Sequence, residues 1–253
     1  MANSVLVTGA TGLLGQAIVN RFAMAGFDVA VHFRSDENTA TELVDAVKLH
    51  RQKAIALEAD FATENIDELA DAVIATADQQ LGGLSTVVLN ASAQDVIPWD
   101  QLTADSWDSM YVSSLRATAS LIRAASKLFS SSEVPNKSII VIGSIEGIRP
   151  ASGHAPYAVM KAAMHHLVAA AAHELGPKGI RVVGVAPGLI DSDKVQAEWP
   201  EGVARFNNVA ALGRPVTANE VANIVTFVAT PAASGLTGVT IPVDAGWSAH
   251  PGW

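Results

Sequence analysis

The chain of 253 residues contains no cysteine, and this absence excludes both disulfide bonds and reactions that depend on a thiolate. The same absence agrees with a reducing compartment, and we expect a cytoplasmic protein. Positive charge is also scarce, because 16 lysines and arginines stand against 25 aspartates and glutamates, for a net charge of -9. An acidic chain lacks the electrostatic attraction that carries most nucleic-acid binding, so we expect no nucleic-acid partner.

The sequence also lacks a long uninterrupted apolar run. Its longest uncharged stretch, Val221–Val243, contains Pro231, Gly235 and Gly238, and it therefore predicts a helix, a turn and a strand. The first residues show no basic segment followed by an apolar one, so we expect neither a signal peptide nor a membrane partner. We assign no residue to a metal site.

Short β-rich segments alternate with longer helical patterns along the whole chain. We predict strands near Val5–Thr8, Val29–Phe33, Ala54–Glu58, Thr86–Leu89, Ser138–Ile142, Val182–Val185 and Val239–Val243, and helices over Leu14–Ala25, Asn38–His50, Asn65–Gln80, Ser106–Ser130, Pro156–Leu175 and Ala218–Ala229. This alternation predicts one α/β domain over residues 1–253, a doubly wound, parallel, seven-stranded sheet with helices on both faces. Residues 191–211 show no clear strand, and we predict a substrate lid there, with a surface helical excursion as the alternative.

A glycine-rich turn joins the first predicted strand to the first predicted helix. Glycines allow a tight turn and a close approach of the backbone to a pyrophosphate, and the helix N-terminus adds free N–H groups and a positive dipole. An ordinary strand-to-helix turn is the alternative, but the strand–loop–helix context favours a dinucleotide site. The candidate cofactor-binding residues of this turn are Gly9, Thr11, Gly12, Leu13, Leu14 and Gly15.

The residues at the end of the second strand bear on which dinucleotide binds. NAD sites usually place an acidic residue there for the ribose hydroxyls, whereas a 2′-phosphate needs a basic or hydroxyl residue. Phe33 stands where the acid is expected, and Arg34 and Ser35 follow it. Because an arginine fork suits a phosphate, we predict that these three residues contact NADP(H), with NAD(H) as the second choice. The alternative is a solvated surface arginine beside Asp36, which would repel a phosphate.

A phenol, an ammonium group and a hydroxyl are spaced so that they can meet. Ser144 follows Ser138–Gly143, an apolar run that predicts a buried parallel strand. Pro156 suits the first position of the next helix, on which Tyr157 and Lys161 are i,i+4 neighbours. Since open α/β sheets bind ligands at the carboxyl ends of strands, the three groups predict a catalytic site. We expect the ammonium to lower the phenol pKa from about 10, so that Tyr157 acts as a general acid and base.

Taken singly, these residues could be a core tyrosine, a solvated lysine and a strand-end cap, but their order and spacing are jointly specific. The chain resembles the short-chain dehydrogenase/reductase family over nearly its whole length, in the single-domain branch that includes 3-oxoacyl-ACP reductases, glucose dehydrogenases and pteridine reductases. The matching segments are Thr8–Gly15, Asp60–Phe61, Asn90–Ser92, Ser144, Tyr157–Lys161, Pro187–Ser192, Leu212–Pro215 and Val243–Trp247. The resemblance implies a Rossmann-type fold and an NAD(P)-dependent oxidoreductase, such as a carbonyl reductase, that acts on a carbonyl or secondary alcohol.

The resemblance also implies roles for individual residues. Tyr157 would exchange a proton with the substrate oxygen, Ser144 would bind that oxygen, and Lys161 would hold the nicotinamide ribose. The small-molecule substrate would lie beside Leu189, and a homotetramer or homodimer is expected. Further cofactor contacts, besides Tyr157 and Lys161 themselves, would come from Asp60, Phe61, Asn90, Ala91, Ser92, Pro187, Gly188, Ile190 and Ser192.

Two departures from the family pattern keep other functions open. Ser114 stands where the branch usually has an asparagine, and we treat it as a catalytic candidate that replaces this asparagine in the proton relay. If the relay fails, the chain could be a dinucleotide-binding redox sensor without turnover. Leu13 follows Gly12 where the branch usually has glycine, a spacing similar to the extended branch of epimerases and dehydratases.

Three further residues are predicted at the substrate site. Glu146 and His154 lie close in sequence to Ser144 and Tyr157, and they favour a substrate with hydroxyl or other polar groups. The alternative is a surface glutamate and a histidine that caps a loop. Trp199 would supply an apolar wall.

Overall fold

Seven parallel strands form one sheet in the computed structural model, which describes residues 3–250. The strands are β1 (Ser4–Val7), β2 (Asp28–Phe33), β3 (Ala54–Glu58), β4 (Thr86–Leu89), β5 (Ser138–Ile142), β6 (Arg181–Pro187) and β7 (Thr240–Val243). They lie in the order β3-β2-β1-β4-β5-β6-β7, and all neighbouring pairs are parallel. The doubly wound sheet is therefore confirmed, and its order reverses between β1 and β4, where such sheets form a ligand crevice.

The helices connect these strands close to the predicted bounds, with one exception. They are α1 (Leu13–Met24), α2 (Glu37–Leu49), α3 (Ile66–Leu81), α4 (Ala104–Met110), α5 (Ala117–Ser131), α6 (Ala155–Leu175), α7 (Asp193–Glu198), α8 (Pro200–Val209) and α9 (Ala218–Val228). The helix predicted over Ser106–Ser130 is divided into α4 and α5 by a π-helical turn at Tyr111–Arg116. The Ser113 hydroxyl donates to the Ser109 carbonyl within this region, at 2.8 Å, a bond type that often bends helices.

Each face of the sheet carries its own apolar core. Val5 and Val7 of β1 belong to the core that α1, α2 and α9 cover, whereas Leu6 belongs to the core under α3, α5 and α6. Successive side chains of a strand point to opposite faces, so β1 buries all four of its residues. This two-sided burial explains why the strands appear in the sequence as continuous apolar runs.

The segment 191–211 is helical and consists mainly of α7 and α8. The Ser192 hydroxyl begins α7 by accepting the N–H of Val195, at 3.2 Å. Phe206 of α8 is buried and stacks on Trp247, with ring centroids 6.1 Å apart. The segment is thus packed against the core at one side, and its action as a lid stays a prediction. Within residues 3–250, no helix is both long enough and apolar enough to cross a membrane.

Candidate active site

An open groove of about 630 Å³ crosses the carboxyl ends of β1, β2, β3 and β4, and we name it the dinucleotide groove. It brings together the whole glycine-rich turn and the predicted residues that follow the next three strands. Its lining includes Gly9, Thr11, Gly12, Leu13, Leu14, Gly15, His32, Arg34, Ser35, Asp60, Phe61, Asn90, Ala91 and Ser92.

Steric constraints distinguish the three glycines of the turn. A Cβ atom on Gly15 would overlap the Gly9 carbonyl oxygen and lie 2.7 Å from Cα of Ala10, so close packing of α1 requires glycine. Gly9 has a φ of +60°, and a Cβ there would lie 2.9 Å from Cα of Ala91. Gly12 has an ordinary φ of -72°, and a Cβ there would meet only the Gly9 oxygen, at 3.7 Å. The protein itself does not require glycine at Gly12, but a pyrophosphate lying against the backbone would.

Asn90 ties the end of β4 to the turn. Its side-chain amide donates to the carbonyl oxygens of Thr8 and Gly9, both at 3.0 Å. In return, the Thr8 hydroxyl accepts the backbone N–H groups of Asn90 and Ala91, at 2.9 and 3.0 Å. These bonds hold the two strand ends together at the point where the sheet order reverses.

His32 is a residue of this groove that the sequence reasoning missed. Its Nδ1 accepts the N–H of Gly9 at 3.0 Å, and its Nε2 therefore donates to the Ala59 carbonyl at 3.1 Å. Its ring stacks on Phe61, with centroids 4.3 Å apart. Burial lowers the pKa of His32 to about 4, so the ring stays neutral and links the turn to the end of β3. The sequence feature that could have identified His32 is a histidine inside an otherwise apolar strand.

The predicted contact of Phe33 with the cofactor is not supported by its position. Its side chain is 4% exposed and packs in the core with α1 and α2, because it points to the opposite face from His32. Arg34 and Ser35 are exposed and line the groove. The Asp36 carboxylate accepts the N–H of Thr39 at the start of α2, which holds the pKa of Asp36 below its usual value.

A second cavity of about 570 Å³, here named the Tyr157 cavity, adjoins the groove at the carboxyl ends of β5 and β6. The two share the residues Leu13, Leu14, Asn90, Ser92 and Gln94. Of the predicted residues, the cavity brings together Ser144, Glu146, Tyr157, Lys161, Pro187, Gly188, Leu189, Ile190, Ser192 and Trp199. Arg149 and Arg205 also line it, and the sequence reasoning did not single them out.

Ser144, Tyr157 and Lys161 meet at the end of β5. Lys161 is only 2% exposed, and its Nζ donates to the Ile142 carbonyl at 3.0 Å and lies 5.4 Å from the centroid of the Tyr157 ring. The Ser144 hydroxyl oxygen accepts the N–H of Glu146 at 3.1 Å, which leaves its own hydrogen available for donation. The structure thus brings the phenol, ammonium and hydroxyl groups to one place.

The prediction that the pKa of Tyr157 falls below its usual value is wrong in this structure. Burial raises the pKa of Tyr157 to about 12; a hydrogen bond with Ser144 lowers it in part, and the charge of Glu146 raises it further. Burial also lowers the pKa of Lys161 to about 8. Burial disfavours the charged form of each group and is the largest cause of both shifts. Tyr157 is therefore a protonated phenol at neutral pH.

Glu146 and His154 form a pair beside the tyrosine. His154 Nδ1 lies 2.9 and 3.0 Å from the two carboxylate oxygens of Glu146. The His154 ring meets the Tyr157 ring edge-on, with centroids 6.2 Å apart. Glu146 lines the cavity, and His154 holds the carboxylate from one side without itself belonging to the lining.

Ser114 lies behind the groove on the π-helical turn and is 1% exposed. Within the described part of the chain, its hydroxyl contacts the Ser92 hydroxyl at 3.3 Å and the Met110 sulfur at 3.5 Å. Neither contact reaches Lys161, so the geometry gives the predicted Ser114 relay no direct hydrogen bond to the Lys161 amine.

This chain is similar to known proteins over nearly the whole of its length and of theirs. The family model described as Enoyl-(Acyl carrier protein) reductase matches residues 9–248. A 3beta-hydroxysteroid dehydrogenase of Eggerthella lenta is 32% identical over 99% of this chain and 95% of its own length. A 3-oxoacyl-[acyl-carrier-protein] reductase of Staphylococcus aureus is 30% identical, over 97% of this chain and 98% of its own. The crystal structure of acetoin dehydrogenase from Enterobacter cloacae superimposes with a TM-score of 0.89 at 25% identity, over 100% of this chain and 98% of that one.

Proposed function

The chain belongs to the short-chain dehydrogenase/reductase family and is an NAD(P)-dependent oxidoreductase, and we propose that it uses NADP(H) to interconvert a carbonyl and a secondary alcohol, with Tyr157 as the general acid and base. The observation that carries this proposal is the junction of the dinucleotide groove with the Tyr157 cavity along one edge of the sheet. A cofactor that follows the groove from Arg34 toward Asn90 ends beside the tyrosine.

The residues of the groove fit a dinucleotide. Gly12 leaves space against the backbone for a pyrophosphate, and the free N–H groups at the start of α1 favour its charge. Phe61 and Asp60 would hold the adenine end, and Lys161 and the stretch Pro187–Ser192 the nicotinamide end. When bound, the cofactor supplies or accepts the hydride.

The residues of the cavity handle the proton and the substrate oxygen. Tyr157 is protonated at neutral pH and donates to the carbonyl oxygen as negative charge develops there. Ser144, whose hydroxyl hydrogen-bonds to Tyr157 and accepts the N–H of Glu146, would donate its hydrogen to the same oxygen when a substrate is bound. The buried Lys161 places a positive charge 5.4 Å from the phenol ring and favours the phenolate that proton transfer leaves behind.

The preference for NADP(H) rests on Arg34 and Ser35. Both are exposed at the groove, and Arg34 forms no ion pair with any described residue. An unpaired guanidinium can bind a 2′-phosphate through two hydrogen bonds. The charge of Asp36 is partly offset because its carboxylate caps the positive end of the α2 dipole.

The cavity walls favour a substrate with an apolar body and a polar group. Leu189, Trp199 and Phe206 provide apolar surface, whereas Glu146 offers a carboxylate held by His154. A ketone that carries a hydroxyl group would use both. We further infer a homodimer or homotetramer in the cytoplasm, from the resemblance to the family and the absence of cysteine.

The decisive experiment is Tyr157→Phe, measured by the absorbance of NADPH with a panel of neutral, hydroxylated and acidic ketones. We expect kcat to fall by about a hundredfold or more, because the proton donor is lost, with little change in the Kd of NADPH. Equal turnover by variant and parent would refute the assigned acid. Tight cofactor binding by a parent that reduces no ketone would instead favour the redox sensor.

A further inference from the structure

His165 lies on α6, one turn beyond Lys161, and reaches under the catalytic serine. Its Nε2 stands 3.5 Å from the backbone nitrogen of Ser144, at the end of β5. The side chain is partly buried, whereas the next residue, His166, is exposed. The two adjacent histidines therefore differ in environment, and the mechanism described above uses neither.

The turn that carries Ser144 closes around the imidazole ring. A Cβ atom on Gly147 would lie 2.7 Å from Cε1 of His165, and a Cβ on Gly143 would lie 2.8 Å from its Cδ2 and overlap its Nε2. Neither glycine has a positive φ, so backbone conformation does not require glycine at these positions. At Gly143 the ring takes the space that a side chain would occupy, and at Gly147 the ring shares this space with the α6 backbone at Lys161 and Ala162.

The hydrogen bonds of Ser144 show what the ring contributes. The Ser144 carbonyl accepts the N–H of Gly147 at 3.0 Å, and its hydroxyl accepts the N–H of Glu146, so both of these partners lie within the turn. Among the described residues, the contact of its backbone N–H with His165 is the hydrogen bond that anchors the backbone of Ser144 to another element. The helix that positions Tyr157 and Lys161 thereby also holds Ser144.

We propose that His165 is a positioning residue, whose neutral imidazole accepts the Ser144 N–H and fills the space between Gly143 and Gly147, so that the serine hydroxyl is held against Tyr157. This inference rests on the proposed function, because it assigns His165 a part in orienting the substrate oxygen. It names a residue that acts through Ser144 and does not itself touch the substrate.

The ionisation state of the ring supports this assignment. A backbone N–H can pair only with an unprotonated ring nitrogen. Burial and the positive charge of Lys161 both lower the pKa of His165, so the ring is neutral at neutral pH and its Nε2 can accept.

The test compares His165→Gln with His165→Leu, and uses His166→Leu as the matched control. Gln can place its carbonyl oxygen near the position of Nε2, whereas Leu has similar bulk and no acceptor. With saturating NADPH, we expect kcat to fall about three- to tenfold for His165→Leu, the size of one lost hydrogen bond, and to recover largely for His165→Gln. The Kd of NADPH and the activity of His166→Leu should not change.

Two further measurements keep the outcome clear. His165→Asn is polar but too short to place an acceptor at the Nε2 position, so it should resemble His165→Leu. Amide hydrogen exchange of a peptide over residues 138–148 should be faster in His165→Leu than in His165→Gln, and this readout needs no substrate. Equal kcat values and equal exchange for Gln, Asn and Leu would overturn the proposal, and so would a parallel loss of NADPH affinity. Failure of the proposed function would show separately, as an inactive parent.

Discussion

The dinucleotide groove and the Tyr157 cavity share five lining residues, yet they are built in different ways. The groove depends on backbone geometry, since Gly9 and Gly15 remove side chains where chain segments meet and Asn90 bonds to carbonyl oxygens. The cavity depends on side chains that come from the segments after β5 and β6, from α6 and from α8. Substitutions that add side chains to the groove would therefore disturb the packing of the backbone. Substitutions in the cavity can change its chemistry while the fold is kept.

Burial has opposite consequences in the two regions. In the groove it lowers the pKa of His32 to about 4 and leaves a neutral ring that serves only as a link. In the cavity it raises the pKa of Tyr157 to about 12 and lowers that of Lys161 to about 8, so the amine titrates near working pH. The same physical effect therefore produces an inert group in one region and a reactive pair in the other.

The largest effect is expected from glycine substitutions in the groove. Gly15→Ala should lower the free energy of unfolding by about 3 kcal/mol, because its Cβ overlaps the backbone of Gly9 and Ala10. Gly12→Ala is the matched control: it should keep the parent Tm and weaken NADPH binding. Thermal denaturation and fluorescence titration measure the two quantities. Equal Tm values for both variants would contradict a groove set by backbone packing.

Removing the positive charge of Arg34 at the rim of the groove should change only the affinity for the cofactor. Arg34→Ala should raise the Kd of NADPH by about tenfold or more and leave the Kd of NADH nearly unchanged, since only NADPH carries the 2′-phosphate. Arg51→Ala, which removes an exposed arginine outside the groove, serves as control. An equal loss of affinity for both cofactors would refute the assignment of Arg34 to the phosphate.

The dependence of the reaction rate on pH should reflect a group of the cavity, Lys161, and not the histidine of the groove, His32. The rate of carbonyl reduction should decline as the pH rises through about 8, because Lys161 then loses the charge that favours the phenolate, well below the pKa of Tyr157. His32, with a pKa of about 4, should contribute no change between about pH 6 and about pH 9. A rate of reduction that is flat through about pH 8, measured at saturating cofactor, would contradict the pKa assigned to Lys161.

The smallest effect is expected outside both regions, at the start of α9. Hydrogen bonds from Arg214 and Thr217 lower the pKa of Glu220 to about 2, so its contribution to stability is complete above the unfolded pKa and is lost as the pH falls through about 2. Glu220→Gln should cost about 1 kcal/mol or less at neutral pH, because this surface pair is screened by solvent. Denaturant unfolding should show that the difference in stability between the variant and the parent vanishes toward pH 2. The two proteins should have the same kcat at neutral pH.

Strand positions and the helix that carries Tyr157 and Lys161 could be predicted from local pattern. Six of the seven predicted strands begin within one residue of their observed starts and end within one residue of their observed ends, because burial on both sheet faces selects apolar runs. Tyr157 and Lys161 share a helix face by spacing alone. The π-helical turn at Tyr111–Arg116 was not predicted, and helical structure in segment 191–211 was considered only as the alternative to a lid, because the form of both depends on packing against distant elements.

The sequence by itself determined the alternation of strands and helices through its periodicity, and it indicated the family and the residue types at the candidate site through its motifs and their spacing. Only the tertiary structure decided the ionisation of those groups and the partners that hold them. The rise in the pKa of Tyr157 requires the burial that the folded chain creates. His32 bonds to Gly9 and Ala59, and His165 supports Ser144, through contacts between residues 21 to 27 positions apart. Desolvation and long-range hydrogen bonds exist only once the chain has folded, so no local pattern records them.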